Sequence, residues 1–288
     1  MQQIKKHHKH LNIARACWCF FVFLLLITID GQHTQAQAIS ISPSRMFFTG
    51  AKSQELTQQV TLTNTGTTAL SFKASLMDWA RDSIGEKQYA QPGTNALSNA
   101  QWLEVAPNVV EIPSGAKQQL TVTMHVPAGA SADAVTHSML FLTQINEQGG
   151  SKANATHASI GVIVKLEFGI HIYYTPPLTI KKDLDFLTFY YDGIKTSGTV
   201  QVRRVAVKVK NQGDVMTDGF ISFEVTNKST GEEFKIPAKA ISMLPNDEQV
   251  IYVDLPITLK GPYLLVALLD GGEETNLKVA KKELDFIY

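Results

Sequence analysis

From Ile160 to Tyr174 the chain reads IGVIVKLEFGIHIYY, and every even position is apolar: Ile160, Val162, Val164, Leu166, Phe168, Ile170, Ile172 and Tyr174. The odd positions mix Gly161, Ile163, Lys165, Glu167, Gly169, His171 and Tyr173. A period of two is the mark of a β-strand with one dry face. Extended at about 3.3 Å per residue, the run reaches roughly 50 Å, where an ordinary strand has about five or six residues. A strand of that length overshoots the sandwich that holds it. The surplus is expected to be an apolar strand edge offered to another protein, and the alternative is that the same face lines the domain's own core.

The rest of the chain has the same texture. After residue 38 no segment sustains an apolar stripe of period 3.6, whereas short alternating runs separated by turn residues recur, so the expected class is all-β. Ile39 to Phe48 alternates and stops at Thr49-Gly50, and Glu55 to Asn64 closes on Asn64-Thr65-Gly66. Leu70 to Trp79 is the next strand, followed by a polar excursion from Ala80 to Asn99. Trp102 to Val105, Val109 to Ile112, Gln118 to Val126 and Met139 to Ile145 complete the series before a polar loop, Asn146 to His157, leads into the long strand. Strands of this number and spacing make one immunoglobulin-like sandwich.

Thr175-Pro176-Pro177 ends that series. Two prolines donate nothing to a ladder and stiffen the backbone, which suits a short link between two sandwiches. Beyond it, strands are expected at Val202 to Asn211, Phe220 to Thr226, Glu233 to Ile236, Gln249 to Leu255 and Tyr263 to Leu269. VTLTNTG from Val60 resembles VKVKNQG from Val207, an internal echo that supports duplication. KKDLDF from Lys181 returns as KKELDF from Lys281, which is expected to bring the two ends of the second half near one another. The division is therefore 1–38, 39–175 and 176–288.

The first of these pieces is read as a signal peptide. Lys5, Lys6, Lys9 and Arg15 precede the apolar run Ala16 to Ile29, and Ala36-Gln37-Ala38 offers small residues for cleavage after Ala38. Both cysteines, Cys17 and Cys19, fall inside it, so the mature chain is expected to have no disulfide, thiol chemistry or cysteine-held metal. Of 26 basic and 26 acidic residues, the segment removes four basic ones and Asp30, leaving a slightly acidic remainder with no electrostatic attraction for nucleic acid. No membrane span is expected after cleavage.

Three pieces of the first half carry a resemblance. They are SISPSRMFFTG from Ser40, WLEVAPNVVEIPSGAKQQLTVTM from Trp102, and IHIYYTPP from Ile170. Together they resemble the periplasmic pilus and fimbrial chaperones, the PapD-like family, of which this chain looks like a divergent member. The resemblance covers Ile39 to Pro177 and is thin beyond it. It implies two immunoglobulin-like β-sandwich domains in tandem after the signal peptide, in the periplasm of a Gram-negative bacterium. It also implies the function: such chaperones hold secreted pilus or surface subunits by donating an edge strand, donor-strand complementation, with an outer-membrane assembly protein as a further partner.

The same resemblance assigns residues. Two basic side chains in the family's cleft grip the client's C-terminal carboxylate, and by position they fall on Arg45 and His171. Arg45 keeps a permanently charged fork suited to a carboxylate. His171 stands where the family usually has lysine, so its charge depends on pH. Val162, Val164 and Leu166 fall where the family presents apolar side chains to the client's groove. An added strand satisfies the unpaired N–H and C=O groups of an incomplete subunit while those side chains plug its apolar trough.

No catalytic constellation stands against this. There is no Gly-x-Ser-x-Gly elbow and no phosphate-cradling glycine loop, and the four histidines that remain after cleavage, His125, His137, His157 and His171, form no pair at metal-ligand spacing. The chain is read as no enzyme and as needing no cofactor or metal. The alternative is a structural or adhesive cell-envelope protein whose paired sandwiches hold something at a distance and whose long strand is merely long.

Overall fold

The computed structural model describes residues 39–146, 165–272 and 277–286. The signal-peptide reading of Met1 to Ala38 and the donor positions Val162 and Val164 lie outside the described residues. The chain is all-β, with two sandwiches, each closed over its own apolar core.

The first sandwich contains β1 (Ile39–Ser42), β2 (Arg45–Thr49), β3 (Glu55–Asn64), β4 (Leu70–Arg81), β5 (Lys87–Ala90), β6 (Leu103–Ala106), β7 (Val109–Ile112), β8 (Lys117–His125), β9 (Thr136–Gln144) and β10 (Glu167–Thr175). One sheet runs β1-β3-β8-β6, and the other runs β2-β10-β9-β4-β5 with β7 also on β4. Ile39 to Phe48, expected as one strand, is two. Pro43 has no N–H for a ladder, and the chain breaks there. β1 pairs antiparallel with β3, while β2 crosses to the other sheet and pairs parallel with β10.

The long strand is also shorter than its pattern. β10 begins at Glu167, and Lys165 and Leu166 precede it outside the ladder. Its period of two has the expected cause, because Ile170, Ile172 and Tyr174 are buried in the first core, with Leu166 and Phe168 packed partly buried against it. Each fully buried aliphatic of this kind contributes roughly 1.5–3 kcal/mol.

The second sandwich contains β11 (Leu184–Ser197), β12 (Val200–Asn211), β13 (Thr217–Asn227), β14 (Glu233–Met243), β15 (Glu248–Pro256), β16 (Gly261–Asp270) and β17 (Lys278–Phe286). Its sheets run β11-β12-β15 and β14-β13-β16-β17. β11 has no counterpart among the expected strands, because bulges between Phe186 and Thr188 and between Tyr191 and Gly193 break its alternation twice. β14 extends past Ile236 through Pro237, which an edge strand tolerates where a central one does not. The repeated KK-D/E-LDF ends do approach each other: Lys278 Nζ lies 3.4 Å from Asp183 and 3.3 Å from Asp185, and the Tyr191 and Phe286 rings are 5.8 Å apart.

The other echo marks a shared construction. Asn64 and Asn211 are both fully buried at the ends of β3 and β12. Asn64 donates to the carbonyls of Thr68 (2.8 Å) and Ile112 (2.9 Å) and accepts from Gly66 N–H (2.9 Å). Asn211 repeats this with Val215 (2.8 Å), Met243 (3.0 Å) and Gly213 N–H (2.9 Å). One carboxamide thus closes a turn and pins it to the end of another strand, satisfying carbonyls that water does not reach. Asn64→Ala or Asn211→Ala leaves those groups unpaired and is expected to cost about 2–4 kcal/mol; the check is a lowered urea midpoint for each variant.

Candidate functional site: a cationic cleft beside an open strand edge

β10 is covered unevenly. On one side β9 pairs with it antiparallel from Glu167↔Thr143 to Tyr174↔Thr136. On the other, β2 pairs only from His171↔Arg45 to Thr175↔Thr49, with His171 N–H donating to the Ser44 carbonyl at 3.1 Å. Even-numbered residues turn their backbone groups to β9, as the Gln144 N–H to Leu166 carbonyl bond of 2.8 Å establishes. Strand alternation then turns the N–H and C=O of Glu167 and Gly169 to the other side, where among the described residues no strand pairs with them. The open edge ends where β2 begins, and the first residue of β2 is Arg45.

The odd-numbered side chains of β10 leave the first core. They build a row of rings on the sheet's outer face. Phe47 stacks on Tyr173 at 5.3 Å, Tyr173 lies parallel to His171 at 6.0 Å, and Trp79 meets His171 edge-on at 5.3 Å. The Arg81 guanidinium caps the Trp79 ring at 5.3 Å. Trp79, Met139 and Tyr173 pack with Leu244 of the second sandwich, and Phe141 and Met216 flank that cluster. Tyr173, an odd position, is buried for this reason. Burial, its largest influence, raises its phenol to about 12.

The β4–β5 hairpin also reaches the second sandwich. Asp82 accepts from the N–H groups of Ile84 (3.0 Å) and Glu86 (2.9 Å), and Gly85 turns with φ 89°, a left-handed conformation suited to glycine. Arg81 Nη1 donates to the Gly85 carbonyl at 2.8 Å, and Val250 N–H donates to the Ser83 carbonyl at 2.8 Å. Arg81 faces Lys87 across this hairpin.

These elements enclose a cleft of about 760 Å³, lined among others by Arg45, Arg81, Gly85, Asp218, Lys239 and Tyr252. Arg45 Nη1 lies 2.5 Å from Asp218 Oδ2 on β13, a link between the sandwiches. Among the described residues, Arg81 and Lys87 have no carboxylate partner within ion-pair distance. The Lys87 ammonium is pushed below its ordinary range by burial first, then by the charges of Arg81 and Arg45. Like charges gathered in this way are an anion-binding arrangement.

Arg45 and His171 are therefore neighbours across one ladder, but they differ in charge. His171 is lowered to about 4, by burial first and then by Lys87, Arg45 and Arg81, against a raising hydrogen bond to the Ser44 backbone. Near neutral pH the imidazole brings no positive charge. Arg81 and Lys87 do, and they lie in the segment read from sequence as a polar excursion. Asp82-Ser83-Ile84-Gly85 between alternating flanks was the signal for that hairpin. Leu166, the described donor position, is half-buried against the first core.

No family model matches the chain, and no curated protein matches its sequence. Among solved structures it is similar to the YadV chaperone, at 14% identity and a TM-score of 0.47 over 86% of this chain and 100% of that one. It is also similar to a chain of the CsuC–CsuE chaperone–tip adhesion subunit pre-assembly complex from archaic chaperone-usher Csu pili of Acinetobacter baumannii, at 13% identity, TM-score 0.48, and 85% and 98% coverage. A third is the Pseudomonas aeruginosa CupB2 chaperone, at 13%, 0.43, and 85% and 99%. At these identities the likeness is one of fold, and what the site does is decided by its own side chains.

His171 also makes stability depend on pH. The unfolded imidazole titrates near 6.5 and the folded one near 4, so between these values the unfolded chain binds more protons. The contribution is complete above about pH 6.5 and is lost as the pH falls towards 4. His137, lowered chiefly by burial, acts in the same direction. Thermal melts are expected to show a lower midpoint at pH 5 than at pH 7, and a smaller difference in His171→Phe. An unchanged difference in that variant would contradict this assignment.

Proposed function

We propose that the protein is a periplasmic chaperone that binds secreted pilus or surface subunits by strand addition, with the client's C-terminal carboxylate anchored at Arg45. The observation that carries the reading is the position of the open edge of β10: a strand laid against Glu167 and Gly169 runs into Arg45 where β2 takes over the pairing. Backbone pairing supplies affinity without sequence specificity, and a guanidinium at the end of the edge recognises a chain terminus by its charge.

In this reading the anchor is Arg45 with Arg81 and Lys87 as the surrounding cations, and His171 supports them as a neutral ring at neutral pH. The apolar plugs are Val162, Val164 and Leu166, of which Leu166 also serves the chaperone's own core. The chain is a signal segment, Met1 to Ala38, followed by two domains that divide after Thr175. The partner class is a β-rich subunit short of one strand, whose exposed edge would otherwise pair with its neighbours. An outer-membrane assembly protein that receives the client belongs to the same proposal.

Purification of the mature protein from envelope extract tests this. The wild type is expected to bring down secreted β-rich subunits at one-to-one stoichiometry, released by denaturant and not by salt alone. Arg45→Ala is expected to lose at least about tenfold in recovered client, the order of a charged hydrogen bond, with an unchanged melting midpoint. Equal recovery by both proteins removes the anchor, and bare protein from the wild type favours a scaffold built of two sandwiches.

A further inference from the structure

Arg45 does not stand free. Its Nη1 touches one carboxylate oxygen of Asp218 at 2.5 Å, from the opposite sandwich. The contact uses one N–H of a group that has five and is built to take a carboxylate with two. The two side chains are 35% and 54% exposed, so separating them strands neither charge in a dry site. Both line the cleft of about 760 Å³, which has room beside them for a chain terminus.

We propose that Asp218 is an internal competitor for the anion site: its carboxylate stands on Arg45 in the free protein, is displaced by the client's terminal carboxylate, and thereby sets the affinity of the site. The proposal rests on the reading of Arg45 as the carboxylate anchor. Three observations support it. Asp218 offers the same chemical group as the ligand. It holds Arg45 by the weaker, single-bonded geometry. Arg81 and Lys87, which have no ion pair among the described residues, keep the site positive after Asp218 withdraws. Asp218 is therefore an affinity-setting residue of the cleft, and its strand carries it there without help from its own side chain, since β13 pairs with β14 at Asp218 and with β16 from Phe220 onward.

The test uses a fluorescent synthetic peptide of alternating valine and serine with a free C-terminal carboxylate, and the same peptide amidated, titrated against wild type and Asp218→Asn. The substitution keeps the side chain's shape at an exposed position, and an unchanged melting midpoint verifies the fold. Wild type is expected to prefer the free carboxylate, and D218N to bind that peptide about three- to fivefold more tightly than wild type, the gain from removing an exposed ion pair. Binding of the amide is expected to be the same in both proteins. If wild type prefers the carboxylate but D218N binds it no more tightly, or binds both peptides more weakly, Asp218 only ties the sandwiches together and the proposal fails while the anchor stands. If neither protein distinguishes carboxylate from amide, the anchor fails and the competitor with it.

Discussion

The parallel pairing of β2 with β10 is the constraint on which the rest of the structure depends. The chain leaves one sheet at Pro43 and enters the other at Arg45, so β2 covers β10 only from His171 onward. Had β1 and β2 been one unbroken strand in either sheet, β10 would have been covered along its length or bare along its length. The break leaves the backbone groups of Glu167 and Gly169 without a strand partner among the described residues and puts a guanidinium at the boundary. An exposed edge is ordinarily an aggregation liability that folded proteins blunt; here a charge, Arg45, closes it at the end where β2 begins.

The cleft adds a second level of control. The aromatic row from Phe47 through Tyr173 and His171 to Trp79 gives the outer face of the first sandwich something to bury against Leu244 of the second. Burying that face takes His171 partly out of water, and the cations around it complete the lowering of its imidazole. The residue that would have been the second positive group is thereby made neutral, while the β4–β5 hairpin brings two permanent or near-permanent charges to the same place. Charge at the site is a property of the assembled face.

Much of this architecture is legible in the sequence, and the exceptions have physical causes. Alternation over Ile170, Ile172 and Tyr174 reads out the inward face of β10 correctly, because one dry face needs a period of two. β3 and β7 run over the residues their patterns suggest. The doubled VTLTNTG and VKVKNQG motifs foretell a repeated turn, although the sequence does not say that the asparagine is the buried bracket. β11 escapes because its bulges break the alternation, and β5 because four half-polar residues carry too little pattern. Of the proposed site, Arg45 and His171 are the residues that the resemblance singles out. Arg81 and Lys87 are not, because a hairpin's reach depends on its turn and on the sandwich opposite. Asp218 gives no local signal at all: it is 173 residues from Arg45 in the chain.

Amide hydrogen exchange at Glu167 and Gly169, with and without a bound client, reads out whether the edge of β10 is the pairing surface. Both amides are expected to exchange quickly in the free protein, beside a slowly exchanging His171 held by Ser44, and to become protected when a client binds. Protection of both amides in the free protein, or rapid exchange that persists in the complex, would show that the edge of β10 is not where the client pairs.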